Sequence, residues 1–370
     1  MEVKNRSDLE QFLETSMKRA CGDISDDAKL TPEKNALKTY IIESNSGVKF
    51  LKKLGIKVKS LGDCLYLIKF EGATYYLDAI EDRFWILYSL QKSEISDKYV
   101  NKLIYLPESR LDNLWLTNSI LKNLLGRYTI RGLAIRFNGF PSGDDQNNLS
   151  IESLGYVAYE LIKAINNISE RDLRNIKNKK IKESLKSLLK VKSYLRLSKA
   201  KIKFEDGENN EFVLEDVYYW GKFTAKGNDI SKHFKIINSV LNEYKAKLDL
   251  IESSLIDINS GNLSNNAPIS ISFKKEIEDI DRFLSVILSE KKPFRLTGIK
   301  RKVDKDYYSV VGLDLHNGDK FEMDISKNWI NLYLKKGSCG NTVLRLLANL
   351  QQIHDANTYL EINTTEEKIT

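Results

Sequence analysis

The stretch YYSVVGLDLHNGDKFEMDI, residues 307–325, decides the fold class. Its arms, Tyr307–Leu315 and Lys320–Ile325, are rich in β-branched and aromatic residues, and Asn317-Gly318 lies between them. Asn-Gly tolerates the left-handed backbone that a tight hairpin turn demands, so the stretch predicts an antiparallel hairpin. Just upstream, the spacing predicts a helix around Ile277–Leu288 and a strand around Phe294–Ile299. Downstream, Val343, Leu346, Leu347, Leu350 and Ile353 recur at helical spacing from about Thr342. Hairpins interleaved with amphipathic helices define an α+β, multi-domain chain.

Working outward, the Asn-, Ser- and Gly-rich run Asp257–Pro268 reads as a linker, which sets off a C-terminal domain at 269–370. Before it, Phe234, Ile237, Leu241, Tyr244, Leu248, Ile251 and Leu255 alternate by three and four, a heptad seam behind a Ser231 cap. The seam predicts one long helix, either packed inside the protein or docking a partner through Phe234, Ile237, Leu241, Tyr244 and Leu248. Lys199–Phe204 alternates lysine with Ala200, Ile202 and Phe204, and a return strand at Phe212–Trp220 makes a second hairpin. Leu111–Leu125 reads as helix, Tyr128–Phe137 as strand, and Ser150 as the cap of a helix bearing Ile151, Leu154 and Ala158. These elements form a central domain, 111–256. In the N-terminal domain, 1–110, Ser7-Asp8-Leu9-Glu10 reads as a capping box, Thr31-Pro32 as a second helix start feeding Leu37, Tyr40 and Ile41, and 56–77 as a small meander.

Charge is distributed unevenly. Residues 171–203 hold thirteen Lys or Arg against Asp172 and Glu183, a local +11 in a chain of net +7, so the remainder is −4. A field concentrated in this way suits a polyanion. The predicted nucleic-acid contacts are Lys177, Lys179, Lys180, Lys182, Lys186, Lys190 and Lys192 on a helix, then Arg196 and a solvent-facing row of Lys199, Lys201 and Lys203. Lys222 and Lys226 extend that surface. The aromatics interleaved with them can stack on unpaired bases, but alternate aromatics on a strand are more often core, so Tyr218 and Trp220 are expected to be buried and the two lysines to make the contact.

Catalytic signals are thin. Three histidines (His233, His316, His354) and three scattered cysteines (Cys21, Cys64, Cys339) supply no zinc or redox motif, and no nucleotide fingerprint occurs. No metal and no cofactor are expected. Lys335, Lys336, Gly337, Ser338, Gly340 and Asn341 lead into the last helix and form a candidate anion cradle. Cys339 in that turn, with His316 or His354 as base, outlines a Cys/His hydrolase. Asp314, Glu322 and Asp324 outline a metal nuclease that lacks its usual lysine. No apolar run is long enough to span a membrane, and Met1 to Arg19 does not read as a signal peptide, so the expected location is cytoplasmic.

The basic segment feeding a lysine-striped hairpin, the heptad helix, the Gly337–Asn341 turn and the lack of a catalytic motif together resemble the accessory subunits of short prokaryotic Argonautes. The similarity runs over most of Lys199 to Glu361, where those proteins carry an APAZ-like region. It implies an antiviral defence complex in which Lys177–Lys203 face the nucleic-acid channel, an Argonaute holds guide and target, and the effector is another protein. The expected function is therefore a non-catalytic nucleic-acid-binding subunit with a protein partner. The competing reading is an interaction scaffold with a basic patch.

Overall fold

In the computed structural model the described residues are 3–21, 36–106, 109–136, 150–154, 196–206, 210–256, 268–362 and 368–369. They hold seven helices and predominantly antiparallel sheets, an α+β architecture. In chain order the first elements are α1 (Arg6–Cys21), β1 (Leu37–Ser44), α2 (Lys49–Lys53), β2 (Lys57–Gly62), β3 (Leu65–Phe70), β4 (Ala73–Asp78), β5 (Phe84–Ser89), α3 (Ser93–Ile104) and β6 (Leu111–Asn113). Next come α4 (Asn118–Arg127), β7 (Thr129–Arg136), β8 (Ser150–Leu154), β9 (Arg196–Asp206), β10 (Glu211–Tyr218), β11 (Lys222–Gly227) and α5 (Ile230–Ser253). The chain ends with β12 (Ile269–Ser272), α6 (Ile280–Ile287), β13 (Leu296–Asp304), β14 (Tyr307–Asp314), β15 (Lys320–Ser326), β16 (Trp329–Leu334), α7 (Asn341–Ile353), β17 (Tyr359–Glu361) and β18 (Lys368–Ile369).

Two compact units divide the chain, and neither is one continuous stretch. Unit 1 is 1–115 with 202–243, and unit 2 is 116–201 with 244–370. The crossings fall after Trp115, within β9 and within α5, whereas the sequence pointed to boundaries near 110 and in 257–268.

Unit 1 is built on a sheet in the order β2-β3-β4-β5-β1-β11-β10, with β6 also pairing β1. The meander expected at 56–77 is there and extends through β5. Thr31-Pro32 lies outside the described residues, and Leu37, Tyr40 and Ile41 belong to strand β1, not to a helix. All eight β1 residues are buried, which erases the two-residue alternation that would have marked a strand. One face of the sheet closes over Tyr40, Ile42, Tyr75, Leu77, Trp85 and Leu87 with Val100, Leu103 and Ile104 of α3. Against the other face α1 lays Leu9, Leu13 and Met17, its Phe12 ring edge-on to Tyr76 at 5.8 Å. The α1 cap is Asn5, whose Oδ1 accepts from Asp8 N at 2.9 Å while Asp8 accepts from Lys4 N. Ser7 falls one residue inside the helix.

Unit 2 holds a seven-stranded sheet, β13-β14-β15-β16-β12-β17-β18. The hairpin read from 307–325 forms as β14 and β15, with Gly318 at φ +85° in its turn. Val310, Phe321, Met323, Ile325, Ile330 and Leu332 fill the inner face. Every residue of α7 except Ile353 is buried, including Asn341, Thr342, Arg345, Asn349, Gln351 and Gln352. Ser150–Leu154 is strand β8 paired with β7, not a capped helix. Leu111–Leu125 begins as β6, and its helix starts only at Asn118. The linker 257–267 lies outside the described residues.

Candidate functional site

In unit 1, β1 pairs with β5 on one side and β11 on the other, so residues that face each other across the strands share a face of the sheet. One transverse row reads Ser89, Lys38, Thr224, Asp216; the next reads Leu87, Tyr40, Lys222; and Lys226 pairs with Leu214 beside them. Three lysines thus crowd one face at 1%, 2% and 5% exposure for Lys38, Lys222 and Lys226. Lys222 Nζ pairs with Asp97 Oδ2 of α3 at 2.6 Å and lies 5.0 Å from the Tyr218 ring centre and 5.8 Å from that of Trp220. The Tyr40 hydroxyl donates to Asp97 Oδ1 at 2.6 Å and sits 2.7 Å from Ser96 Oγ. Burial, then the negative charge of Asp97, raise the Tyr40 pKa well above the phenolic range.

Lys38 is different. Its Nζ is buried and has no hydrogen-bond partner. Burial foremost, and then repulsion from Lys222, lower its pKa to about 8, with Asp97 opposing and Lys226 adding to the fall. Opposite it, Thr224 Oγ1 is also buried and unpartnered, although Thr224 as a residue is half-exposed, as are Asp216, Tyr218 and Trp220. A depressed amine among other cations has the chemistry of an anion receptor or of an activated lysine.

The opposite face of the same sheet carries a buried relay. Thr39 Oγ1 lies 2.9 Å from His233 Nε2, and His233 Nδ1 lies 2.7 Å from Glu215 Oε2. The connectivity is that of hydroxyl, imidazole and orienting carboxylate. All three side chains are essentially sealed from solvent, which bars a substrate and makes the relay a clamp of α5 onto β1 and β10. Burial raises the Glu215 pKa, and the His233 contact works against that rise.

In unit 2 the expected anion cradle is already filled. The N–H of Lys336 donates to Ile256 O at 2.8 Å and that of Ser338 to Lys335 O at 2.9 Å. Cys339 N donates to Asp319 Oδ2 at 2.8 Å and Gly340 N to Glu252 Oε1 at 2.9 Å. Asp314 accepts from Thr342 and Arg345, and Tyr244 donates to Asn341. Lys335, Lys336 and Gly337 are exposed, but three carboxylates of the chain stand where an anion would bind, so the cradle reading fails on charge. A Cβ at Gly340 would meet Glu252 Cγ at 2.8 Å and Leu248 Cδ1 at 2.9 Å, so both side chains would have to shift to admit alanine.

A ring nitrogen of His316 does lie within 4.8 Å of Cys339 Sγ, yet both side chains are buried. His354 caps the far end of α7 and bonds Lys275 O at 2.9 Å, which removes it as a base for Cys339. Asp314 faces the core while Glu322 and Asp324 pair with Val311 and Ser309 on the outer face, so the three acids do not gather.

The nucleic-acid candidates Lys177, Lys179, Lys180, Lys182, Lys186, Lys190 and Lys192 lie outside the described residues. Arg196 is buried and donates to His354 O at 3.1 Å. Lys199 is buried, and Lys201 and Lys203 are half-buried, Lys203 pairing with Glu205 at 2.6 Å. The expected solvent-facing row is thus not one, because the lysine face of β9 is covered as well as the face that carries Ala200 and Ile202. Lys222 and Lys226, expected to make nucleic-acid contacts, are buried beside Lys38. The seam of α5 is core: Ile237, Leu241, Tyr244 and Leu248 are buried, and the Phe234 ring meets Tyr88 at 6.0 Å. Phe234 itself is half-buried.

Sequence reasoning missed Lys38, Thr224, Asp97 and the Thr39–His233–Glu215 relay. A charged residue inside the apolar run LKTYIIES was the available signal, obscured once that run was read as helix.

Fold and sites define an α+β protein whose described residues include two buried polar centres, the lysine face around Lys38 and the Thr39–His233–Glu215 relay. Over residues 1–369 the chain matches the MJECL33-like protein family, and it belongs to that family. The uncharacterized protein MJECL33 of Methanocaldococcus jannaschii is 42% identical over 393 aligned residues, which cover all of this chain and 96% of the relative. Among the described residues no helix is long and apolar enough to cross a membrane.

Proposed function

We propose that this chain is a non-catalytic, nucleic-acid-binding accessory subunit that grips the sugar-phosphate backbone through the run 171–192. One observation carries the reading. Nine Lys or Arg stand there against Asp172 and Glu183, a local +7 equal to the net charge of the entire chain. Such a run neutralises phosphates without reading bases. The reading is narrower than the hairpin version, since Arg196, Lys199, Lys222 and Lys226 are buried and are withdrawn from it. A cytoplasmic location and a second protein, a short Argonaute by the resemblance drawn from the sequence, belong to the same proposal.

The test is affinity for single- and double-stranded DNA and RNA across a salt series. If about five lysines meet phosphates, log K falls against log salt with a slope of about −0.9 per contact on a duplex and about −0.7 on a single strand. Changing Lys177, Lys179, Lys180 and Lys182 together to Gln is expected to flatten that slope. A salt-independent affinity, or one unmoved by the four changes, would remove the proposal. Pull-down from native cells before and after nuclease treatment reads the protein partner separately.

A further inference from the structure

Lys38 and Thr224 are neighbours across β1 and β11, and neither polar atom has a hydrogen-bond partner, although both are sealed from water. An unmet amine or hydroxyl inside a fold costs stability, and a native structure keeps one only where something else compensates. Two such groups side by side, both able to donate, call for one acceptor that reaches both. Side chains paired across an antiparallel ladder stand about 5 Å apart at Cβ, so an oxyanion beside the Thr224 hydroxyl is within reach of the long, flexible Lys38 arm.

The surroundings are cationic on balance. Lys38, Lys222 and Lys226 belong to one face, against Asp97 of α3, which is engaged by Lys222 and Tyr40, and Asp216, which pairs with Thr224 across the ladder. Access is available from the side of β10, where Thr224, Asp216, Tyr218 and Trp220 are each half-exposed. The lowered pKa of Lys38 agrees with a site awaiting its counter-charge, because a bound anion would restore the ammonium form.

We propose that Lys38 and Thr224 form the receptor of a small oxyanion, a phosphoryl or carboxylate group, held against the face that β1, β11 and β10 share in unit 1. Lys38 supplies the charge-assisted hydrogen bond, Thr224 the second donor, and the Lys222–Asp97–Tyr40 array fixes the floor. This site is separate from the basic run 171–192, and its occupancy does not depend on nucleic-acid binding.

The experiment titrates the full-length protein with inorganic phosphate, acetate and adenosine 5′-monophosphate, read by calorimetry and by melting temperature. The three probes separate a free phosphate, a carboxylate and a nucleotide-borne phosphoryl group as the source. At least one is expected to bind and to raise the melting temperature. Lys38→Met should weaken that probe at least tenfold while melting no lower than the wild type without ligand, and Thr224→Val should weaken it several-fold. If Lys38→Met fails to fold, Thr224→Val carries the same comparison. Wild-type protein that binds none of the three at millimolar concentration, or a probe bound equally by wild type and the folded variant, overturns the assignment. Oligonucleotide affinity measured on the same variants is expected to be unchanged, which keeps a failure here distinct from a failure of the basic-run reading.

Discussion

Cys64 and Cys339 differ in what surrounds them, not in chemistry. Cys64 sits exposed at φ +57° in the turn between β2 and β3, whereas Cys339 is 7% exposed beneath the start of α7. A thiol must meet its reagent as thiolate in solvent. Iodoacetamide at neutral pH is therefore expected to label Cys64 in the native protein and Cys339 only after denaturation; rapid native labelling of Cys339 would revive the hydrolase reading. Lys38 gives a second prediction at this scale. Its folded pKa of about 8 lies below the ordinary 10.5, so between those values the unfolded chain holds a proton that the folded chain has released. Stability contributed by this group must then rise as pH climbs through that window. Lys222, Lys226, Asp97, Asp216 and Tyr40 share its face, and of these Tyr40 stays protonated throughout. Melting curves from pH 7 to 10 should show a smaller rise for Lys38→Met than for wild type, and equal slopes would contradict the assignment of that window to Lys38.

At the scale of elements, α5 and α7 are held by polar clamps as well as by apolar faces. Asp314 and Arg345 form an ion pair in which both side chains are about 1% exposed, and Thr342 donates to the same carboxylate. Removing one member leaves the other charged and buried, a loss of about 3–5 kcal/mol. Asp314→Ala should lower the denaturant midpoint by a corresponding amount, and Asp314→Ala with Arg345→Met should recover part of it. The His233–Glu215 contact obeys the same logic: His233→Ala strands a buried carboxylate and is expected to cost about 3 kcal/mol in the same assay. How far the elements were legible follows from their burial. The 307–325 hairpin was readable because one face of β14 meets the core and the other meets solvent, which preserves the period of two around Asn317-Gly318. In β1 both faces are covered, so Leu37, Tyr40 and Ile41 fell at helical intervals by accident. Lys38 was lost with that strand. The α5 seam was visible as a helix, but a period of seven is the same whether the stripe meets its own core or another chain. The carboxylates that fill the α7 N-terminus come from Asp314, Asp319 and Glu252, too distant in sequence for the local pattern to reveal.

For the whole molecule, the route of the chain matters more than the composition of any one segment. All strands of the seven-stranded sheet lie between Ile269 and Ile369, and the sequence alone invites the view that 269–370 is a domain. The packing of α7 argues otherwise. Its Asn341 receives the Tyr244 hydroxyl, and Gly340 N bonds Glu252, both from α5. Gln351 Oε1 accepts from Asn118 N, Gln352 donates to Leu197 O at 2.9 Å, and Arg196 donates to His354 O. A fragment 269–370 would keep the strands and lose each of these partners, uncovering the polar groups of α7 along with Leu residues now sealed from water. Burying a helix on all sides commits it to segments brought in from elsewhere in the chain. The fragment is expected to give a poorly dispersed amide NMR spectrum and no cooperative thermal transition, while the full chain unfolds cooperatively. Adding residues 116–201 and 244–268 back in trans should restore dispersion; a 269–370 fragment that folds cooperatively by itself would show that α7 needs only its own sheet.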